Sequence, residues 1–208
     1  MKLLLTAFEP FGEDQINSTK EILDLIPDRV AGAQVVSLCL PVVFGKSLEV
    51  LRDAIERERP DAVLCLGQAG GQDAITPERI AVNIEDASIP DNTGSRPVDQ
   101  PVYPDGPDAY FSTLPVKEMT EAIRSEGLRA RLSNSAGTFV CNQVMYGLLY
   151  ILEHEYPGVR GGFLHLPYLT EQAALHPGAF GMTRGELVKG VTAAVRAVIS
   201  ALSPQKIC

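Results

Sequence analysis

Ser133-Asn134-Ser135-Ala136-Gly137-Thr138-Phe139-Val140-Cys141-Asn142-Gln143 is a run of small and polar residues around one glycine. Beyond it Val144, Met145, Leu148, Leu149 and Leu152 recur at helical spacing. The stretch predicts a tight loop that opens a helix, with Cys141 at or near the first turn. Upstream, Leu128 to Leu132 reads as a short strand. Downstream, Gly161-Gly162-Phe163-Leu164-His165-Leu166-Pro167 reads as another, with Phe163 and His165 on one face. Strand, loop, helix and strand in succession form the repeating unit of an α/β protein.

The same alternation runs through the rest of the chain. Leu3 to Phe8 suits a strand buried on both faces, broken by Glu9-Pro10-Phe11-Gly12. Ser18-x-x-Glu21 has the spacing of a capping box, followed by a helical stripe that stops at Pro27. Gln34 to Leu40 predicts a second strand, Gly45 to Glu58 a helix, and Asp61 to Leu66 a third strand ending in Gly67-Gln68-Ala69-Gly70-Gly71. That glycine cluster reads as a sharp backbone turn, because its spacing is not that of a dinucleotide-binding loop and no helix follows. Arg79 to Glu85 alternates as a strand with one buried face, and Glu78 stands at its entrance. Residues 86–114 are polar and proline-rich; so long a loop is functional, mobile or covered by a partner subunit. Pro115 and Gly127 bracket a helix, and Thr183-x-x-Glu186 caps the last one. The expected fold is a single-domain α/β/α sandwich over residues 1–208, with a mixed, largely parallel central sheet whose strand ends make the site.

At 208 residues and 45% hydrophobic content the chain can bury a sizeable core. A net charge of −8 without a basic cluster argues against nucleic acid or an anionic membrane as partner. Residues 1–8 read as a strand rather than a signal peptide, and no apolar run approaches the roughly 20 residues of a membrane helix. Cys39, Cys65, Cys141 and Cys208 are too widely spaced for a zinc site or a disulfide framework, so a reducing cytoplasm is the expected location. Cys39 and Cys65 read as core residues and Cys208 as an exposed terminal thiol.

A cysteine is more often a core residue than a nucleophile. A helix start, however, offers unpaired N–H groups that favour a thiolate and a developing oxyanion. Such a thiol needs an imidazole in reach and a group to orient it. His154 lies more than three turns along the helix, His176 stands in a loop and stays a candidate, and His165 sits at a strand end. Many carboxylates are available for the third role, and by spacing Glu78 is one among several.

Taken together, Phe8-Glu9-Pro10-Phe11-Gly12 with Asn17, Gly67-Gln68-Ala69-Gly70-Gly71, Thr76-Pro77-Glu78-Arg79-Ile80-Ala81-Val82-Asn83, Ser135 to Asn142 and Gly162 to Pro167 resemble the type I pyroglutamyl peptidases, a family of cysteine peptidases. The resemblance implies Cys141 as nucleophile, His165 as general base and then acid, and Glu78 as the carboxylate orienting it. It implies release of N-terminal pyroglutamate from peptides through a thioester, without metal or cofactor, in a homo-oligomer (dimer or tetramer). Pyroglutamate is an uncharged lactam, for which Phe8, Phe11, Phe139 and Val140 can supply apolar walls and Asn17 and the Gln68 backbone the polar partners. Phe8 and Phe11 are equally suited to a core, and Asn17 to a helix cap. Ala7 and Gln143 depart from the Gly and His of the family pattern. Two other readings compete: a nucleoside phosphorylase-like enzyme, for which no arginine cradle is evident, and a redox-sensing or small-molecule-binding module built on Cys141.

Overall fold

Leu3, Leu5 and Ala7 pack into one hydrophobic core and Leu4 and Phe8 into a second, so the first strand is covered on both faces. This explains an apolar run without polar alternation. The computed structural model of the chain describes residues 1–203, so Cys208 lies outside the described residues. In chain order the elements are β1 (Lys2–Phe8), α1 (Ser18–Leu23), β2 (Arg29–Val30), β3 (Ala33–Leu40), α2 (Lys46–Glu58), β4 (Ala62–Gln68), β5 (Thr76–Glu78), β6 (Ile80–Val82) and β7 (Ala109–Phe111). There follow α3 (Val116–Ser125), α4 (Val140–Glu155), β8 (Arg160–Leu166), β9 (Tyr168–Leu169), α5 (Thr170–Ala173), β10 (Gly181–Met182) and α6 (Arg184–Leu202).

Six strands form the central sheet in the order β2-β3-β1-β4-β8-β5. β3, β1, β4 and β8 are parallel, and the short edge strands β2 and β5 run antiparallel to their neighbours. One face packs on α1, α3 and α6 through Ile22, Met119, Ile123, Leu187, Val191 and Val195. The other packs on α2 and α4 through Leu51, Ile55, Val144 and Leu148. The expected α/β/α sandwich with a mixed, largely parallel sheet is therefore observed. All four parallel strands end on one edge, the edge where α/β proteins bind their ligands.

Several local expectations need correction. The cap of α1 is Asn17 rather than Ser18: Asn17 Oδ1 accepts the Thr19 N–H at 3.0 Å, one residue earlier than the capping-box spacing suggests. The strand predicted over 79–85 divides, with Thr76–Glu78 at the sheet edge and Ile80–Val82 paired instead with β7. Leu128 to Leu132 makes only isolated bridges, Ile75 with Ala130 and Glu78 with Ser133. The ladder breaks between them because Pro77 has no N–H to donate. Residues 86–114 are well tied down: Glu85 and Gln100 exchange backbone hydrogen bonds, and the Asp91 carboxylate accepts from the N–H groups of Phe44, Thr93 and Ser95. The brackets at Pro115 and Gly127 and the capping box at Thr183 and Glu186 are present as read.

Candidate active site

Gly137, at φ +78°, turns the chain into α4, and Phe139, extended at φ −92°, stands just before its first residue. No side chain caps this helix and no acidic residue lies in its first turn. The N–H groups around Cys141 therefore face the sheet edge without a side-chain acceptor. The close fit is possible because of Gly67. This residue is not part of a turn but lies within β4; a Cβ there would fall 2.9 Å from Cys141 Sγ and 2.6 Å from the Phe163 ring. Gly70 is needed for a second close approach, by the Tyr168 ring. The sharp turn read from the glycine cluster is present at Gly70 and Gly71, closed by the Gln72 N–H on the Ala69 carbonyl at 3.0 Å, while Gly67 and Gly70 add two packing constraints.

Parallel pairing sets Gly67 opposite His165, and antiparallel pairing sets Thr76 opposite His165 from the other side. His165 Nδ1 lies 2.8 Å from Glu78 Oε1, both residues being buried, and Cys141 stands beside the imidazole, close enough to shift its titration. With Nδ1 committed to Glu78, Nε2 is the ring nitrogen left for the thiol. Burial by itself would lower the pKa of His165, but the bonds to Cys141 and Glu78 and the charges of both outweigh it and raise the pKa to about 10. The neighbouring Cys65 behaves oppositely: burial in an apolar core pushes its thiol up to about 12. The other histidines are elsewhere. His154 bonds the Tyr150 carbonyl near the far end of α4, and His176 Nε2 lies 2.9 Å from Asp14 Oδ1.

Beside the thiol is a narrow cleft lined by Phe8, Phe11, Asn17, Val42, Gln68, Phe139, Val140 and Cys141. Every residue named from the sequence as lining a lactam pocket is at this cleft, and Val42 is an addition that its plain apolar context had hidden. Phe44 meets Phe139 edge-on at 5.3 Å, behind the wall. A larger open groove lies away from the thiol, between β7 and the carboxyl end of α4.

Two amides in the cleft do more than line it. Asn17 Oδ1 accepts from Thr19 N–H and Oγ1–H, and Nδ2 donates one N–H to the Glu9 carbonyl at 3.0 Å, so cap and cleft wall are the same residue. The Gln68 side chain is engaged away from the cleft: Oε1 accepts from Ser18 N–H and Gln172 Nε2, and Nε2 donates to Asp14. A functional residue that sequence reading passed over is Asn142. Its amide, fully buried, accepts from Val82 N–H and donates to the Val82 and Ile84 carbonyls, lashing the cysteine helix to the segment that follows Glu78. The two departures from the family pattern lie outside the Cys141–His165–Glu78 group: Ala7 is in the core, and Gln143 bonds Gly45 N–H and Glu85.

Among the described residues no helix is long and apolar enough to cross a membrane. A family model described as pyroglutamyl peptidase matches residues 1–201. The chain is 49% identical over 199 residues to a pyrrolidone-carboxylate peptidase of Streptococcus pneumoniae, covering 96% of this chain and 93% of that one. It is 50% identical over 201 residues to a pyrrolidone-carboxylate peptidase of Levilactobacillus brevis, covering 97% and 98%. The crystal structure of Bacillus amyloliquefaciens pyroglutamyl peptidase I superposes with a TM-score of 0.91 at 41% identity, over 96% of this chain and 97% of that one. A mutant pyrrolidone carboxyl peptidase of Pyrococcus furiosus does so with a TM-score of 0.93 at 41% identity, over 97% and 100%. With a family model spanning nearly its full length and relatives at half identity, this chain belongs to the pyroglutamyl peptidase family.

Proposed function

We propose that this protein is a cysteine exopeptidase that removes N-terminal pyroglutamate from peptides, with Cys141 as nucleophile, His165 as proton carrier and Glu78 as its orienting carboxylate. The observation that carries the reading is the buried His165–Glu78 hydrogen bond beside the half-buried Cys141, which opens onto a cleft walled by Phe8, Phe11 and Phe139. In this reading the Cys141 proton resides on His165, whose charged form is favoured by both partners. Sγ attacks the pyroglutamyl carbonyl carbon, and the oxyanion is held by N–H groups of the first turn of α4. His165 then gives its proton to the departing amine as the C–N bond breaks, leaving a thioester. Water, deprotonated by His165, attacks that thioester, and collapse expels Cys141 as the thiolate beside a protonated His165.

Selectivity follows from the cleft. Among the described residues only one of the two N–H groups of Asn17 Nδ2 is engaged, which leaves the other as donor to the lactam ring carbonyl. The Gln68 side chain is committed elsewhere, so its part in binding falls to the backbone carbonyl as acceptor for the ring N–H. Proline, lacking the ring carbonyl, leaves the Asn17 donor unpaired and is rejected. The reading also includes a homo-oligomer, a dimer or tetramer, supported by Phe111, an aromatic side chain 66% exposed beside the open groove at β7, and a reducing, cytoplasmic setting suited to a reactive thiol. The test is release of a fluorescent amine from its pyroglutamyl and prolyl amides by wild type and Cys141→Ser. Cleavage of the pyroglutamyl compound alone, by wild type alone, supports the assignment; a folded wild type inert toward both overturns it.

A further inference from the structure

The segment from Pro10 to Ser18 carries Phe11 and Asn17 into the cleft, yet it contains no strand and only the start of a helix. Part of what holds it in place comes from a segment distant in sequence. Gln172, on the short helix α5 and 3% exposed, donates from Nε2 to the Ile16 carbonyl at 3.0 Å and to Gln68 Oε1 at 2.9 Å. Its own Oε1 accepts the Leu169 N–H, so the amide cannot turn over without losing all three bonds. Gln68 Oε1 also accepts the Ser18 N–H at 2.7 Å, and Gln68 Nε2 reaches Asp14 Oδ2 at 2.9 Å. Asp14 Oδ1 is in turn held by His176 Nε2, and the His176 ring is stacked on Tyr168 at 4.6 Å and 8°. Tyr168 lies three residues beyond His165 and covers Gly70. The wall of the cleft is thus clamped at Asp14, Ile16 and Ser18 by Gln68, itself a cleft residue, and behind it by Gln172 and His176, which do not line the cleft.

We propose that Gln172 and His176 are positioning residues for the lactam cleft. By fixing Asp14, Ile16 and Gln68 they set where Phe11 and Asn17 stand relative to Cys141, and so determine affinity for the five-membered lactam rather than the speed of bond breaking. This rests on the peptidase reading given above. Loss of the clamp leaves the segment tethered elsewhere, by the Asn92 amide at the Pro10 carbonyl and by the α1 cap, so it loosens rather than unfolds.

The test uses His176→Phe, which keeps an aromatic ring to stack on Tyr168 while removing the Asp14 contact, and Gln172→Leu. His176 has a side chain 39% exposed, so the first variant is free of a buried polar loss. Three quantities are measured: kcat and KM for a pyroglutamyl amide, the rate at which iodoacetamide alkylates Cys141, and protection against that alkylation by the bare lactam 2-pyrrolidone. Expected is a KM about ten-fold higher, the equivalent of one hydrogen bond's net contribution, with protection weakened to match and both kcat and the unprotected alkylation rate at wild-type values. Wild-type KM and protection in folded His176→Phe overturn the proposal. So does a fall in kcat and alkylation rate with KM unchanged, which would locate the effect at the thiol. A wild type that is neither active nor protected by the lactam instead overturns the peptidase reading itself.

Discussion

The thiol of Cys141 occupies the space that a methyl group on Gly67 would need: the two positions are 2.9 Å apart, and the Phe163 ring closes the other side. A side chain at residue 67 must therefore push either the thiol or the ring. Gly67→Ala is expected to leave a folded protein whose kcat/KM falls about a hundred-fold, the scale of a 1 Å misplacement of a reacting group. Steady-state kinetics alongside Cys141 alkylation rates check this, and wild-type kinetics would remove Gly67 from the account.

Glu78→Gln tests the charge state of His165. Burial lowers the His165 pKa, and the bonds to Cys141 and Glu78 raise it to about 10; removing the carboxylate charge takes away raising contributions and leaves the lowering one. The pKa must fall. At pH 8 nitrogen-15 spectra of wild type should show both ring nitrogens protonated, and the variant should lose that signature at a lower pH. Its kcat should drop by about 10² to 10⁴, the range of a positioned proton carrier. An unmoved titration would separate Glu78 from His165.

Replacing Asn142 by leucine leaves the Val82 N–H and the Ile84 carbonyl without their partner, while the Val82 carbonyl keeps the Ile84 N–H. Each buried group left unpaired costs about 1–3 kcal/mol. The melting temperature should fall by several degrees and kcat should fall with it, since the strap joins the cysteine helix to the segment after Glu78. Thermal unfolding measures the first and steady-state kinetics the second, and a variant as stable as wild type contradicts the strap.

Asn17→Ala removes a helix cap and a cleft donor together. The cap accounts for about 1 kcal/mol of stability. The donor is read out separately, as a loss of discrimination between pyroglutamyl and prolyl amides with the pyroglutamyl KM raised. Discrimination intact in a destabilised variant assigns Asn17 to the cap alone.

The fold was legible because each buried strand announced itself: Leu3 to Phe8 and Ala62 to Leu66 are apolar on both faces, which only a doubly covered sheet requires. The positions of Cys141 and His165 at strand and helix ends followed from the same periodicity, whereas Glu78 stood out from other carboxylates only through the family resemblance. What escaped is what depends on contact between distant segments. Nothing local in Asn142 shows that its amide serves Val82 and Ile84, and Gly67 reads as a turn glycine until the thiol packed on it is seen. The broken strand at 79–85 belongs to the same class, since a three-residue edge pairing and a switch to a second partner are decided by tertiary neighbours. Pro77, by contrast, was in plain view and its missing donor was not weighed.

The edges of the sheet have a consequence for how copies of this chain can meet. One edge ends in a two-residue strand turned back through Ala31 and Gly32, and the other in a three-residue strand interrupted by Pro77 and flanked by residues 129–133. The Pro77 edge offers no long row of free backbone donors and acceptors, whereas at the other edge β2 pairs only with Ala33 and Gln34, and among the described residues no strand pairs with the outer side of β3 beyond them. Strand addition from another molecule is therefore blocked at the Pro77 edge and limited to the short remainder of β3 at the other, which curbs runaway strand addition. An assembly formed away from that stretch is built from side-chain faces, whose composition can vary without disturbing the helix that carries the thiol.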